Sequence, residues 1–320
     1  MRHSSQNCLF SGLSETSFSG SGIGNDLVAD SSHWSLPSCF LGKVANLGKL
    51  LIFSHFRFLQ LRSSKTCIPL KNYFQYSDFY TGKCKYFFHK ADKIYTRDEN
   101  LDSLGIGIVI RDLEASNIIK KVVASEGEYI GEKSFASLVA SGTLFCDCAK
   151  GILNTSWKGY VLEKDEEHNI KYYLNKGMVN CGYAWIRKKD MIKAFETVDI
   201  HKVYIPKAGG SGYDPLVLGI PFYGEPGSIC SQTYICIGYD PVKHNFSKEE
   251  CMNIISYIKT RFFRFMVSIK KKTQDAFAQV YEFVPLQDFS KPWTDAELYL
   301  KYNLTIDEIA FIESMIKPME

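Results

Sequence analysis

Residues 202–289 read KVYIPKAGGSGYDPLVLGIPFYGEPGSICSQTYICIGYDPVKHNFSKEECMNIISYIKTRFFRFMVSIKKKTQDAFAQVYEFVPLQDF. The apolar run VYI predicts a short strand that carries Lys207 into a glycine-rich loop, Lys207-Ala-Gly-Gly-Ser-Gly-Tyr213, where glycines permit unusual backbone angles and close approach of another chain. Asp214-Pro215 follows at once, so no helix starts there and a phosphate-binding P-loop is excluded. After the turn residues of GIPFYGEPGS, QTYICIGY reads as a second strand. Ser247-Lys-Glu-Glu250 is a capping box, and it opens an apolar periodicity of roughly twenty residues, which predicts one long helix.

On that helix Ile254, Ile255, Ile258, Phe262, Phe265, Met266 and Ile269 form the apolar face. Tyr257, Arg261, Arg264, Ser268 and Lys271 fall on another stripe at spacings of three and four. No acid occurs between Glu250 and Asp275, whereas Lys259, Arg261, Arg264, Lys270, Lys271 and Lys272 all do. Exposed helices ordinarily interleave carboxylates with their lysines, so this expectation is of a basic face whose missing partner is a polyanion. A merely solvated basic face is the alternative. For the glycine loop, too, two readings stand: an irregular turn, or a loop that sets backbone amides, Lys207 and Ser211 against a nucleic-acid backbone.

The 320 residues carry a formal charge of only +3, so distribution rather than total charge bears on partners. With 45% hydrophobic and 14% aromatic residues the chain can build a real core. The ten cysteines are scattered, several within apolar runs, and the expectation is a reducing, cytoplasmic setting. No Cys-x-x-Cys occurs; Cys146 and Cys148, flanking Asp147, form the one close pair, and no metal site is expected.

Residues 1–66 read as a low-complexity, disordered or non-native leader. The apolar stretch that begins at Phe40 is broken by Lys43, Lys49, His55 and Arg57 and makes a poor membrane span. Phe18-Ser-Gly-Ser-Gly-Ile-Gly24 has neither the preceding strand nor the following helix that a nucleotide-binding glycine loop requires. Residues 67–104 are aromatic and alternating and predict two or three strands, with a turn at Thr81-Gly82. A body at 105–289 is expected to hold helices at EASNIIKKVVAS and EKSFASLVAS. Polar, strand-like sequence follows at 151–183, and then a strand leads into a helix, with Asp190 as cap and Ile192, Phe195 and Val198 buried. Arg187, Lys188 and Lys189 at that junction are either a solvated edge or a phosphate contact. Residues 290–320 hold two more capping boxes, Thr294 with Glu297 and Thr305 with Glu308, and predict a C-terminal helical pair.

The chemistry of an enzyme is not evident. No lysine lies two positions after an acid, as common metal-dependent nucleases require, and neither a Gly-x-Ser-x-Gly elbow nor a Gly-Lys-Ser/Thr loop ending is present.

Several ordered segments resemble the C-terminal, target-recognition region of bacterial restriction-modification adenine-specific DNA methyltransferases: DFYTGKC (78–84), GEKSFASLV (131–139), VYIPKAGGSG (203–212), LGIPFYGEPGSICSQTYICIG (218–238), YIKTRFFRFMVSIKKKTQ (257–274), YEFVPLQDFSKPWTDAELYLKY (281–302) and EIAFIESMIKP (308–318). The resemblance implies a mixed α/β (α+β), strand-rich recognition domain with a long basic helix. It further implies double-stranded DNA as partner and a catalytic methyltransferase domain or subunit that holds S-adenosylmethionine. The chain departs from that family in lacking an Asn-Pro-Pro-Tyr type motif, since it contains no Pro-Pro dipeptide, and residues 1–66 do not resemble the catalytic domain. No catalytic residue and no cofactor are therefore expected in this chain. By the resemblance, phosphate contacts fall to Lys207, Gly209, Gly210, Gly212, Arg261, Arg264, Lys270, Lys271 and Lys272, and base reading to Ser211, Tyr213, Gln232 and Gln274. The alternatives are a truncated remnant without independent activity and a shortened methyltransferase or restriction subunit.

Overall fold

The computed structural model describes residues 53–55, 71–75, 83–90, 93–100, 110, 113–131, 133–177, 179–210 and 214–320. The expected leader, its glycine run and the Thr81-Gly82 turn lie outside these residues, apart from one short strand at 53–55. The chain divides into two compact units between residues 103 and 104.

The first unit contains a four-stranded antiparallel sheet in the order β1-β2-β3-β4, formed by Phe53–His55, Lys71–Gln75, Lys83–Lys90 and Lys93–Asn100. The aromatic alternating sequence from Lys71 thus yields three strands. Lys90 pairs with Lys93, so only two residues join β3 to β4.

The second unit is α+β. Its helices are α1 (Leu113–Glu126), α2 (Lys248–Lys259), α3 (Arg261–Lys270), α4 (Asp295–Lys301) and α5 (Ile306–Met315). Two three-stranded sheets accompany them. One is β10-β7-β8, built from Tyr234–Ile237, Lys202–Pro206 and Phe222–Gly224; the other is β6-β5-β9, built from Tyr183–Ile186, Ile170–Tyr173 and Ser228–Cys230. Among the described residues no helix is long and apolar enough to cross a membrane.

The first of these sheets is buried on both faces, which explains why its strands read as unbroken apolar runs. β7 and β10 pair antiparallel, with Ile205 opposite Ile235, Tyr204 opposite Cys236 and Val203 opposite Ile237. Successive side chains point to opposite faces. Val203, Ile205, Ile235 and Ile237 therefore join one core with the helices, while Tyr204 and Cys236 join a second core with β5, β6 and β9. The larger core centres on aromatic rings: Phe263 lies edge-on to Phe135 at 4.8 Å and to Tyr257 at 4.9 Å.

The expected single long helix is two helices. At Thr260 the backbone is extended (φ −63°, ψ 149°), and its hydroxyl accepts from the Phe263 amide at 3.1 Å while donating to the Tyr257 carbonyl at 2.7 Å. The break leaves the first amides of α3 without intrahelical partners. Asp295 supplies them: its carboxylate accepts from Arg261 N at 3.0 Å and from Phe262 N at 2.9 Å. Every residue from Phe262 to Ser268 is buried, so α3 presents no open basic stripe.

Other expectations need correction as well. EKSFASLVAS forms a single 3₁₀ turn, Phe135–Leu138, rather than an α-helix. The strand at 183–186 leads not into a helix but into two 3₁₀ turns, Lys188–Asp190 and Phe195–Thr197, separated by Ala194 in the left-handed region (φ 54°). Ile192 and Phe195 are exposed, and only Val198 is buried. Between 151 and 182 the one regular strand among the described residues is β5.

The tail closes over α1. Ser247, Thr294 and Thr305 each form the expected reciprocal capping box. Lys121 of α1 bonds to Glu308 at 2.7 Å, and Glu126 receives both the Tyr302 hydroxyl and Lys301 at 2.7 Å.

Candidate nucleic-acid interface

The end of the β7–β10 ladder gathers candidate residues that are far apart in sequence. At the exit of β7, Lys207 N donates to Thr233 O at 2.8 Å, which sets Lys207 opposite the residue after Gln232. The chain then runs antiparallel to 274–276: Gly209 N donates to Gln274 O at 3.0 Å, Ala276 N donates to Lys207 O at 2.9 Å, and Ala208 bridges Asp275. Lys207, Gly209, Gly210, Gln232, Lys272 and Gln274 are thereby brought to one end of the sheet. Ser211, Gly212 and Tyr213 lie outside the described residues.

The glycines are required by close packing. A Cβ on Gly209 would stand 3.0 Å from the Gly219 backbone nitrogen, and one on Gly210 would stand 2.1 Å from the Asp214 side chain. Gly209 and Gly210 therefore pack against the irregular segment 214–219. That packing also uses up polar groups, since the Gly209 amide is committed to Gln274 O and cannot face a phosphate.

Two cations expected to meet a polyanion instead hold the base of this loop. Arg264 is fully buried. Its Nε donates to Thr260 O at 3.2 Å, Nη2 to Lys259 O at 3.1 Å and Nη1 to Leu216 O at 3.3 Å. It thus caps the carbonyl end of α2 and ties down one side of the loop. Desolvation pushes its pKa down to about 10, partly offset by Asp295, so the guanidinium stays charged at neutral pH. Lys271 is also buried and donates to the Gly210 carbonyl, on the other side of the loop. Burial lowers its pKa, against the pull of Asp214 and Asp275. Neither side chain is placed to touch DNA, which corrects the sequence expectation for both.

Arg261 and Lys270 are paired. Arg261 Nη1 meets Glu313 of α5 at 2.6 Å, and Lys270 meets Glu282 and lies over the Phe283 ring. The compensating acids absent from the helix itself come from elsewhere in the fold. A similar account holds at the junction after β6: Arg187 grips Asp190 through Nε at 3.0 Å and Nη2 at 2.9 Å, and Lys189 lies 3.6 Å from Glu167. Burial alone would raise the Asp190 pKa, but the Arg187 guanidinium and amide hold it below the usual carboxylate range.

Lys207 is half-buried, with its ammonium 5.5 Å over the Phe277 ring. Lys272 is exposed, with Nζ donating to Ile269 O at 2.7 Å, and Gln274 is exposed. Gln232 is half-buried; its Nε2 donates to Thr155 Oγ1 at 3.2 Å and its Oε1 lies 3.2 Å from Cys148 Sγ. A lysine ammonium can position a phosphate and the exposed Gln274 carboxamide can present a donor and an acceptor to a base edge, whereas the Gln232 carboxamide is engaged by Thr155 and Cys148.

Among the described residues no cluster of three or more His, Cys, Asp or Glu side chains could hold a metal ion. Sequence reasoning missed Asp295, Glu313 and Glu282, because nothing local marks an acid as the partner of a helix more than ten residues upstream. No protein-family model, no curated protein and no solved structure matches the chain.

Proposed function

We propose that the chain is a double-stranded-DNA recognition module that directs a separate catalytic domain or subunit to its site. The observation that carries this reading is the convergence of Lys207, Gln232, Lys272 and Gln274 at one end of the β7–β10 ladder, with the loop base braced from inside by Arg264 and Lys271. In this reading Lys207 and Lys272 contact phosphates. Gln274 addresses a base edge, glutamine being a residue that can engage adenine through paired hydrogen bonds.

The sequence resemblance to adenine-specific restriction-modification methyltransferases supplies the finer proposal. The partner domain would bind S-adenosylmethionine and carry out methyl transfer, while this chain selects the site. The test is fluorescence anisotropy of a labelled mixed-sequence duplex titrated with the full chain at several salt concentrations. Binding that weakens steeply with salt supports the proposal. Absence of binding at low salt, or binding indifferent to salt, removes it.

A further inference from the structure

Cys146 and Cys148 lie side by side next to Gln232. Their sulfurs lie 3.1 Å apart. A tight turn holds them: Asp147 N donates to Ile152 O and Ile152 N to Asp147 O, both at 3.0 Å. The Asp147 carboxylate also accepts from the amides of Ala149 at 3.0 Å and Lys150 at 3.1 Å. The two thiols differ in access, Cys146 being buried and Cys148 exposed. Gln232 Oε1 lies against both, at 3.2 Å from Cys148 Sγ and 3.9 Å from Cys146 Sγ.

We propose that Cys146 and Cys148 are a redox-active dithiol that closes into an intramolecular disulfide on reaction with a low-molecular-weight disulfide such as oxidised glutathione. The exposed thiolate of Cys148 attacks one sulfur of the oxidant, forming a mixed disulfide and releasing one glutathione thiolate. Cys146 then attacks Cys148 Sγ, breaking the mixed disulfide and releasing the second glutathione thiolate. The two protein thiols are oxidised, the oxidant is reduced to two thiols, and the two cysteine protons end on them.

A disulfide requires a sulfur–sulfur distance of about 2.05 Å, so the closing step needs sulfur travel of about 1 Å. The order of attack follows from access, Cys148 being exposed and Cys146 buried. Burial, reinforced by the Cys148 contact, also pushes the Cys146 thiol up to about 12, which disfavours it as the first nucleophile. Closure also withdraws both S–H donors from Gln232 Oε1, so the oxidation state of this pair bears on a carboxamide at the sheet end.

The experiment incubates the full chain with oxidised glutathione, blocks remaining thiols and maps tryptic peptides by mass spectrometry. Both cysteines fall within the single peptide Ser134–Lys150. The expected product is that peptide lighter by two hydrogens, unblocked, and restored by a reducing agent. Cys146→Ala should accumulate glutathione on Cys148, and Cys148→Ala should slow oxidation of this peptide at least about tenfold, since only the buried thiol remains. The exposed Cys181 serves as an internal control for simple surface reactivity. Stable glutathione on Cys148 of the wild-type chain overturns the proposal. So does a Ser134–Lys150 peptide that stays fully reduced while Cys181 reacts.

Discussion

Replacement of Arg264 by methionine separates a structural cation from a DNA-binding one. Methionine keeps the apolar stem and avoids most of the cavity cost, so the change removes chiefly the guanidinium. Three hydrogen bonds from a charged donor are lost, to Lys259 O, Thr260 O and Leu216 O. At about 2 kcal/mol each they contribute about 6 kcal/mol in favour of the native state. Against this stands the cost of burying the charge: lowering the pKa from 12.5 to about 10 corresponds to about 3 kcal/mol. The net loss expected is about 3 kcal/mol, a large part of the 5–15 kcal/mol typical of a folded domain. Urea unfolding of the full chain, followed by tryptophan fluorescence, should show a lower midpoint at unchanged slope. A change within about 0.5 kcal/mol is what an exposed arginine would give. That result, joined to a reduced salt dependence of DNA binding, would refute the buried placement.

Asp295→Ala removes the carboxylate that closes the first two amides of α3, and should cost about 1–2 kcal/mol in the same assay; Asp295→Asn should recover part of it, because the amide oxygen still accepts while the charge at the helix start is lost. Alkaline pH should destabilise the fold. Burial raises the thiol pKa values of Cys236 and Cys251 from 9.0 to about 12. Their stabilisation is complete below about pH 9 and is lost as pH rises toward 12, at about 1.4 kcal/mol per pH unit for each thiol. Lys202 acts in the opposite sense. Burial lowers its pKa from 10.5 to about 8, so the unfolded chain binds the extra proton and stability recovers across that window. One lysine offsets one thiol, and the urea midpoint should therefore fall from about pH 9 to about pH 10.5, less so in Cys251→Ala. A midpoint that is flat or rising would contradict the buried placement of these thiols.

Much of the fold was legible because its signals are local. The capping boxes at Ser247, Thr294 and Thr305 need only four residues each and form as read. The apolar runs around Tyr204 and Cys236 announce a doubly buried sheet. The break at Thr260 was not legible, since apolar periodicity runs straight through it and the acid that caps α3 comes from Asp295 in another helix. The acid-poor helix was misread for the same reason: its counter-charges, Glu313 and Glu282, sit on later elements. At 187–198 the periodicity suggested a helix. There the Asp190 carboxylate turns back onto Arg187, and Ala194 adopts a left-handed backbone conformation that stops propagation. Of the candidate interface, the residue types on the loop and after α3 were legible. Their meeting through the Ala208–Asp275 bridge was not, because 67 positions separate the two in sequence.

The most direct measurement compares the salt dependence of duplex binding in the wild-type full chain with that in the Lys207→Ala/Lys272→Ala double variant. Each lost phosphate contact should lower the slope of log affinity against log salt by about one, so the double variant is expected to lose about two while its urea midpoint moves little. An unchanged slope in this variant, with DNA still bound, would place the contact surface elsewhere on the molecule and contradict the account.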